Sequence, residues 1–116
     1  MLKRIKNVPL DYSLCNMTVT VYRREGLTRH VLEGVHYEFT SRREVVDGVT
    51  RVTRGFLLVI PGDTVLEPGD MVMLGHGPHI QRWEELKVAT CASLGRITSV
   101  QRRYWNGSLC HTEARG

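Results

Sequence analysis

Two histidines close together in the sequence are the first residues that could do chemistry. His76 and His79 flank a Gly-Pro pair, and Cys91, or Cys110 with His111, would complete a set of four zinc ligands. Structural zinc sites usually draw on short fixed spacings such as Cys-x-x-Cys, which this sequence lacks. A metal-dependent enzyme that uses His76 and His79 is therefore the weakest of three functional hypotheses, and loop histidines with buried thiols are the simpler interpretation.

Residues for nucleophilic or acid–base catalysis show no recognisable motif either. The sequence has no Gly-x-Ser-x-Gly element and no glycine-rich phosphate loop between a strand and a helix. Paired carboxylates would have to come from Glu84 and Glu85, which as neighbours usually face water, or from Asp63 and Asp70, which occupy turn positions that favour bonds to the backbone. We predict that the chain has no enzymatic activity, no metal and no cofactor.

A basic and aromatic cluster late in the sequence is a candidate contact for a polyanion or a partner protein. Arg102, Arg103, Tyr104 and Trp105 combine cationic and stacking groups of the kind that bind nucleic acid on small β-barrels. In a strand, Tyr104 and Trp105 point to opposite faces, so the alternative is that at least one of them belongs to the core. A small β-barrel that binds nucleic acid through these four residues is the second functional hypothesis.

The segments that position these residues are predicted to be strands. The segment 56–75 contains two apolar runs, each too short for a helix and typical of buried strands, with Pro-Gly-Asp occurring twice between them. In the second copy, Pro68 fixes the φ angle that a turn requires and Gly69 accepts a positive φ. We predict that this segment is scaffold and holds no chemistry.

The remaining elements follow from residue alternation and from turn residues. Residues 17–22 alternate with the period of a half-buried strand, Glu25 and Gly26 turn the chain, and 29–39 form the returning strand, with Gly34 marking a bulge. Residues 79–88 are the one predicted helix and 95–104 the next strand. Asn106-Gly107 then predicts a type I′ hairpin, with the following pairs across it: Trp105 with Ser108, Tyr104 with Leu109, and Arg102 with His111.

A second hairpin is predicted at Asp47-Gly48, the strongest turn signal in the sequence, because both loop residues of a type I′ turn need a positive φ. Both faces of this hairpin are poor in large apolar groups. It is therefore either a solvated projection or an arm that lies on another subunit. Counting outward from the turn pairs Val46 with Val49, Val45 with Thr50, and Glu44 with Arg51. The candidate assembly arm consists of Glu44, Val45, Val46, Asp47, Gly48, Val49, Thr50 and Arg51.

Size and composition indicate one domain. The 116 residues carry a formal net charge of +4, with arginine far more frequent than lysine. Arginine suits interfaces, although a GC-rich genome gives the same bias. The charge permits contact with nucleic acid or an acidic partner, and a mildly basic solvated surface is the simpler interpretation. The predicted organisation is a single β domain over 1–116, with an extended segment at 1–16 and a projecting hairpin at 41–54.

Cysteine usage and hydropathy predict the compartment. Three cysteines, Cys15, Cys91 and Cys110, are odd in number and far apart, which favours free thiols in a reducing environment. The basic opening breaks at Asn7 and Pro9 before any apolar stretch of a signal peptide, and no run approaches the length of a membrane span. We expect an intracellular, soluble protein without membrane contact.

With these segments in view, nearly the whole chain resembles a family of small tailed-phage proteins, the minor capsid or head-tail connector proteins. The order of the matching segments is more specific than any one of them, and none is a catalytic motif. They are LDY at 10–12, CNMTVTVY at 15–22, LEGVHYE at 32–38, PGDMVMLG at 68–75, and the ending from Ser99 and Val100 through Asn106-Gly107-Ser108 to His111 and Gly116.

The resemblance implies a virion protein of the head-closure or adaptor type, made in the host cytoplasm. Such a subunit forms a six- or twelve-fold ring at the head–tail junction, contacts the portal and a tail-side protein, and lines or plugs the channel for genomic DNA. The arm would then be an assembly element or a channel-facing loop. The leading hypothesis is a structural connector built on an all-β barrel or sandwich of about seven strands, with hairpin arms and one short helix.

Overall fold

The part of the chain that the structure describes folds into seven antiparallel strands, which confirms the predicted all-β class. The computed structural model describes residues 12–86 and 93–116. Most of the predicted extended segment at 1–16 therefore lies outside the described residues. Within them, no helix is long and apolar enough to cross a membrane. The strands are β1 (Met17–Arg23), β2 (Thr28–Val46), β3 (Val49–Pro61), β4 (Met71–Leu74), β5 (Gly95–Arg96), β6 (Ser99–Trp105) and β7 (Ser108–Arg115).

The seven strands follow one continuous order, and strand β2 divides it into two sheets, because its two halves pair with different neighbours. Its first half pairs with β1, which pairs in turn with β4 and β5; these strands form the first sheet. Its second half pairs with β3, which continues to β7 and β6; these strands form the second sheet. The change occurs next to Gly34, whose φ of 69° accompanies a register shift against β1, so the bulge predicted at this glycine is confirmed.

The two sheets are also joined at their other edge. Strands β5 and β6 lie at opposite ends of the strand order but are consecutive in the chain, separated only by Ile97 and Thr98. The Ile97 N–H donates to the Asp70 carbonyl at 2.8 Å, and the Thr98 N–H donates to the Arg115 carbonyl at 2.7 Å. The strands therefore wrap into a small barrel-like sandwich around one core.

Alternation along the strands fills this core with aliphatic and aromatic side chains. One face of β1 contributes Val19 and Val21, and β3 contributes Phe56, Leu58 and Ile60. The opposite face of the first sheet is covered by a second cluster. Its buried members are Tyr22, Met73 and Leu86, with Met71, Ile80, Trp83 and Leu94 packed against them.

The second Pro-Gly-Asp makes the predicted turn. Gly69 has a φ of 100°, and the Asp70 N–H donates to the Glu67 carbonyl at 3.1 Å across the turn. The Asp70 side chain is 2% exposed, and its carboxylate accepts the backbone N–H groups of Arg24 and Glu67 at 3.0 and 2.9 Å. It also lies 2.8 Å from Nε of Arg23, so one buried carboxylate ties the turn to the end of β1.

Three predicted elements differ from the structure in length or type. The predicted strand 29–39 and the outgoing side of the hairpin are one strand, β2, and the returning side is continuous with the apolar run of β3. The predicted strand 95–104 is instead divided into β5 and β6, because Ile97 and Thr98 cross between the sheets. In place of the predicted helix at 79–88, the described part has a 3-10 turn at Trp83–Leu86; residues 87 and 88 lie outside the described residues.

Candidate functional site

The hairpin predicted at Asp47-Gly48 forms a long arm. Its turn residues have positive φ angles of 52° and 76°, and the pairs Val46 with Val49, Val45 with Thr50, and Glu44 with Arg51 are all confirmed. Every residue from 41 to 54 is exposed. The arm is a two-stranded ribbon that buries neither face against the described residues.

The two faces of the arm differ in charge. Glu44 lies on one face, where its carboxylate is 3.1 Å from Nε of Arg42 on the same strand. The register placed Glu44 opposite Arg51, but the ion pair in the structure is with Arg42. The other face carries Arg43 and Arg54 with serine, threonine and valine side chains and no carboxylate, because residues directly opposite each other share a face.

A cleft opens at the base of the arm, on this carboxylate-free face. It has a volume of about 400 Å³, and Tyr37 and Phe56 form its aromatic wall, with ring centroids 5.5 Å apart and planes 13° from parallel. Phe39 meets the Tyr37 ring edge-on at 5.1 Å and is 63% exposed. Arg54 and Arg96 also line the cleft. Sequence reasoning missed it, because its walls come from β2, β3 and β5, which are far apart in the chain.

The predicted cluster on β6 is held by ion pairs. Arg102 Nε lies 3.1 Å from the Asp63 carboxylate, and Arg103 donates to Glu113 at 3.2 Å. Tyr104 is 60% exposed, whereas Trp105 is partly buried. Carboxylates therefore offset both positive charges, and the exposed aromatic ring of Tyr104 stands apart from the cleft at the base of the arm.

The register of this hairpin corrects one prediction. Trp105 pairs with Ser108 and Tyr104 with Leu109, as predicted, but Arg103 rather than Arg102 is opposite His111. The register shifts because Cys110 is an extra residue on β7 and makes a bulge.

A chain of hydrogen bonds on the outer face of the second sheet was not predicted. The Tyr12 hydroxyl lies 2.6 Å from Nδ1 of the buried His111, whose Nε2 is 2.9 Å from Glu113. Glu113 also accepts a bond from Arg103. Burial raises the pKa of Glu113, but the bonds from His111 and Arg103 outweigh it, so the net pKa is lowered from the ordinary value of 4.5. His111 and Glu113 are separated by one residue on the same strand, and side chains at that spacing lie on the same face of a sheet. This spacing could have predicted their contact from the sequence.

Glu113→Gln is expected to lower the free energy of unfolding by about 1–2 kcal/mol at neutral pH, because it removes a charged acceptor from two bonds. A lowered folded pKa means that the stabilisation is complete above the ordinary value of 4.5 and is lost as the pH falls through the folded value. The difference between wild type and variant should therefore shrink on acidification below 4.5.

Denaturant titrations at pH 7 and at several values between about 5 and 2 measure this difference. Glu33→Gln, at an exposed glutamate of β2, is the matched control and should change stability little at any pH. A Glu113→Gln difference that stays constant across the acid range would contradict the assignment.

Three of the four candidate carboxylates, Asp63, Asp70 and Glu85, have structural partners. Asp63 binds Arg102, and Asp70 anchors its turn as described above. Glu85 accepts the backbone N–H groups of Gln81 and Arg82 at 2.6 and 2.8 Å, and these bonds lower its pKa. Glu84 and Glu85 are both exposed, as the sequence indicated, and Glu85 also caps the 3-10 turn.

The residues of the zinc hypothesis are spread over loops and strands. His76 and His79 are exposed, Cys110 is partly buried beside the buried His111, and Cys91 lies outside the described residues. Over residues 12–86 and 93–116, no group of three or more His, Cys, Asp or Glu side chains is placed to hold a metal ion.

A scan against protein-family models, a search of curated proteins and a search of solved structures found no match to this chain. Its function is therefore inferred from its own residues and geometry. Two surfaces stand out, the exposed arm and the cleft at its base.

Proposed function

We propose that this chain is a structural subunit of a tailed bacteriophage, and that it assembles as a ring between the portal and the tail. The sequence supports this proposal through the ordered segments that resemble head-tail connector proteins. Several of these segments are structural: PGDMVMLG contains the buried Asp70 and strand β4, and CNMTVTVY contains most of β1. They specify the barrel that carries the arm.

The observation that carries the proposal is the exposed arm. Four of its valines, Val45, Val46, Val49 and Val52, are 45–72% exposed. Isolated two-stranded ribbons are at best marginally stable in water, and apolar side chains on a projecting ribbon favour burial against another surface. A neighbouring subunit would supply that surface, since ring subunits need lateral contacts that reach beyond their own core.

The position of the second hairpin supports a head-to-tail arrangement. The arm extends from the start of β3, whereas the β6–β7 turn at Asn106-Gly107 lies beyond Pro61 at the other end of that strand. One copy thus presents different surfaces at its two ends. Contacts between unlike surfaces close into rings when the rotation between neighbours is right.

The location of the chain in phage particles tests the proposal. We expect a gold-labelled antibody against the chain to mark the head–tail junction of particles from a host that carries its gene. Particles from a phage with a stop codon in the gene are the control, and they should lose the label and accumulate as heads without tails. Label along the capsid shell or at the tail tip, or complete particles without the chain, would refute a connector role.

A further inference from the structure

We propose that the cleft at the base of the arm, together with the carboxylate-free face of the arm, binds single-stranded nucleic acid. This inference goes beyond the connector role and does not depend on it. It concerns different residues from the β6 cluster singled out in the sequence. It rests on the aromatic and cationic groups that the fold brings together at this place.

The binding surface continues the core face of the second sheet beyond the barrel. Tyr37 and Leu58 are paired and buried, and the next pair on the same face, Phe39 with Phe56, lies at the edge of the core. Phe39 is 63% exposed, so an aromatic ring stands at the mouth of the barrel with its neighbour Tyr37 holding it edge-on. Exposed aromatic rings of this kind are stacking platforms for bases, and they tolerate any base sequence.

The charge of the surface selects an anion. Arg54 and Arg96 line the cleft, no Asp or Glu side chain of the described residues does so, and the terminal Gly116 beside Phe56 adds one backbone carboxylate. Arg43 follows along the same face toward the tip. In contrast, the opposite face pairs Arg42 with Glu44, so its positive charge is partly offset. A ligand for the carboxylate-free face would carry repeated negative charges.

The dimensions of the surface fit a strand rather than a single small anion. The cleft of about 400 Å³ is within the usual range for ligand sites, and a second depression of about 300 Å³ adjoins it along Phe39, Thr40 and Ser41. From Phe39 to Arg43 the face extends roughly 13 Å, and it ends before Val45 at the tip, which the connector proposal assigns to the contact between subunits. Phosphates that follow Arg96, Arg54 and Arg43, with a base stacked on Phe39, describe an extended single strand. A duplex keeps its bases stacked inside and would leave the ring of Phe39 without a partner.

Binding of a fluorescent oligothymidylate to the full-length chain, measured by anisotropy at several salt concentrations, tests the proposal. Phe39→Leu keeps an apolar side chain and removes the aromatic face, and it should weaken binding roughly ten-fold. Arg54→Gln and Arg96→Gln should each reduce the slope of log K against log salt by about 0.7. Circular dichroism establishes that each variant is folded.

Two matched controls locate the site. Tyr104→Ala removes an exposed aromatic ring on β6, and Arg42→Gln removes an arginine from the opposite face of the arm; both should bind within about two-fold of wild type. Absence of oligothymidylate binding would overturn the proposal, as would equal affinity for a duplex of the same length. Equal competition by polyglutamate, or loss of binding in Tyr104→Ala but not in Phe39→Leu, would also overturn it.

Discussion

Replacing Asp70 with alanine is expected to lower the free energy of unfolding by about 3–5 kcal/mol, the range for breaking a buried charge pair. The carboxylate is 2% exposed, accepts two backbone N–H groups, and lies 2.8 Å from Nε of Arg23, whose side chain is itself only 15% exposed. Alanine leaves the two backbone donors without their acceptor and removes the buried counter-charge of a largely buried guanidinium. Urea denaturation followed by fluorescence of the two tryptophans measures the loss.

The other Pro-Gly-Asp provides the matched control. Asp63→Ala removes an ion pair with Arg102 in which the side chains are 62% and 41% exposed, and exposed pairs contribute at most about 1 kcal/mol. If Asp70→Ala does not fold, Asp70→Asn, which keeps one acceptor and loses the charge, should give a smaller loss. Equal stability losses for Asp63→Ala and Asp70→Ala would show that Asp70 does not anchor the turn.

Shortening the arm is expected to abolish assembly while leaving the fold intact. Replacing residues 45–50 with Asn-Gly joins Glu44 to Arg51, which are already paired, through a two-residue type I′ turn. The six replaced residues are exposed, so the melting temperature should change by only a few degrees. Sedimentation velocity, with the portal protein added if the wild-type chain forms rings only on it, should detect no rings of the shortened chain, because the exposed valines at the tip are lost.

Asp47→Asn is the control for this change, since it preserves the length of the arm and a residue that accepts positive φ at the turn. We expect this variant to assemble as the wild type does. A shortened variant that still forms rings would exclude the arm as the assembly element. Loss of rings in both variants would point to the turn itself rather than to the valines.

Local chemistry explains which parts of the fold were predictable. Asp47-Gly48 and Asn106-Gly107 specify tight turns through their own φ preferences, so the first register was correct and the second was correct as far as the bulge. The bulge at Cys110 has no such signal, and it moved the partner of His111 from Arg102 to Arg103. The passage of β2 between sheets, and the closure through Ile97, depend on contacts between distant segments.

The two Pro-Gly-Asp copies show the limit of pattern reasoning most clearly. Both aspartates were predicted to bind the backbone from turn positions. Asp70 does so and is buried, whereas Asp63 binds the side chain of Arg102 at the surface. The two identical tripeptides differ in burial because the second one is hydrogen-bonded to Ile97 and to the end of β1. The cleft at the base of the arm was not predicted for the same reason, because strands that are distant in the sequence form its walls.

Electron microscopy of the purified chain, alone and mixed with the portal protein of the same phage, tests the connector proposal most directly. The account predicts closed rings with six- or twelve-fold symmetry, formed either by the chain alone or on the portal. Class averages should also show the arm reaching the neighbouring subunit. A chain that stays monomeric in both samples, with no density added to the portal, would contradict the proposal.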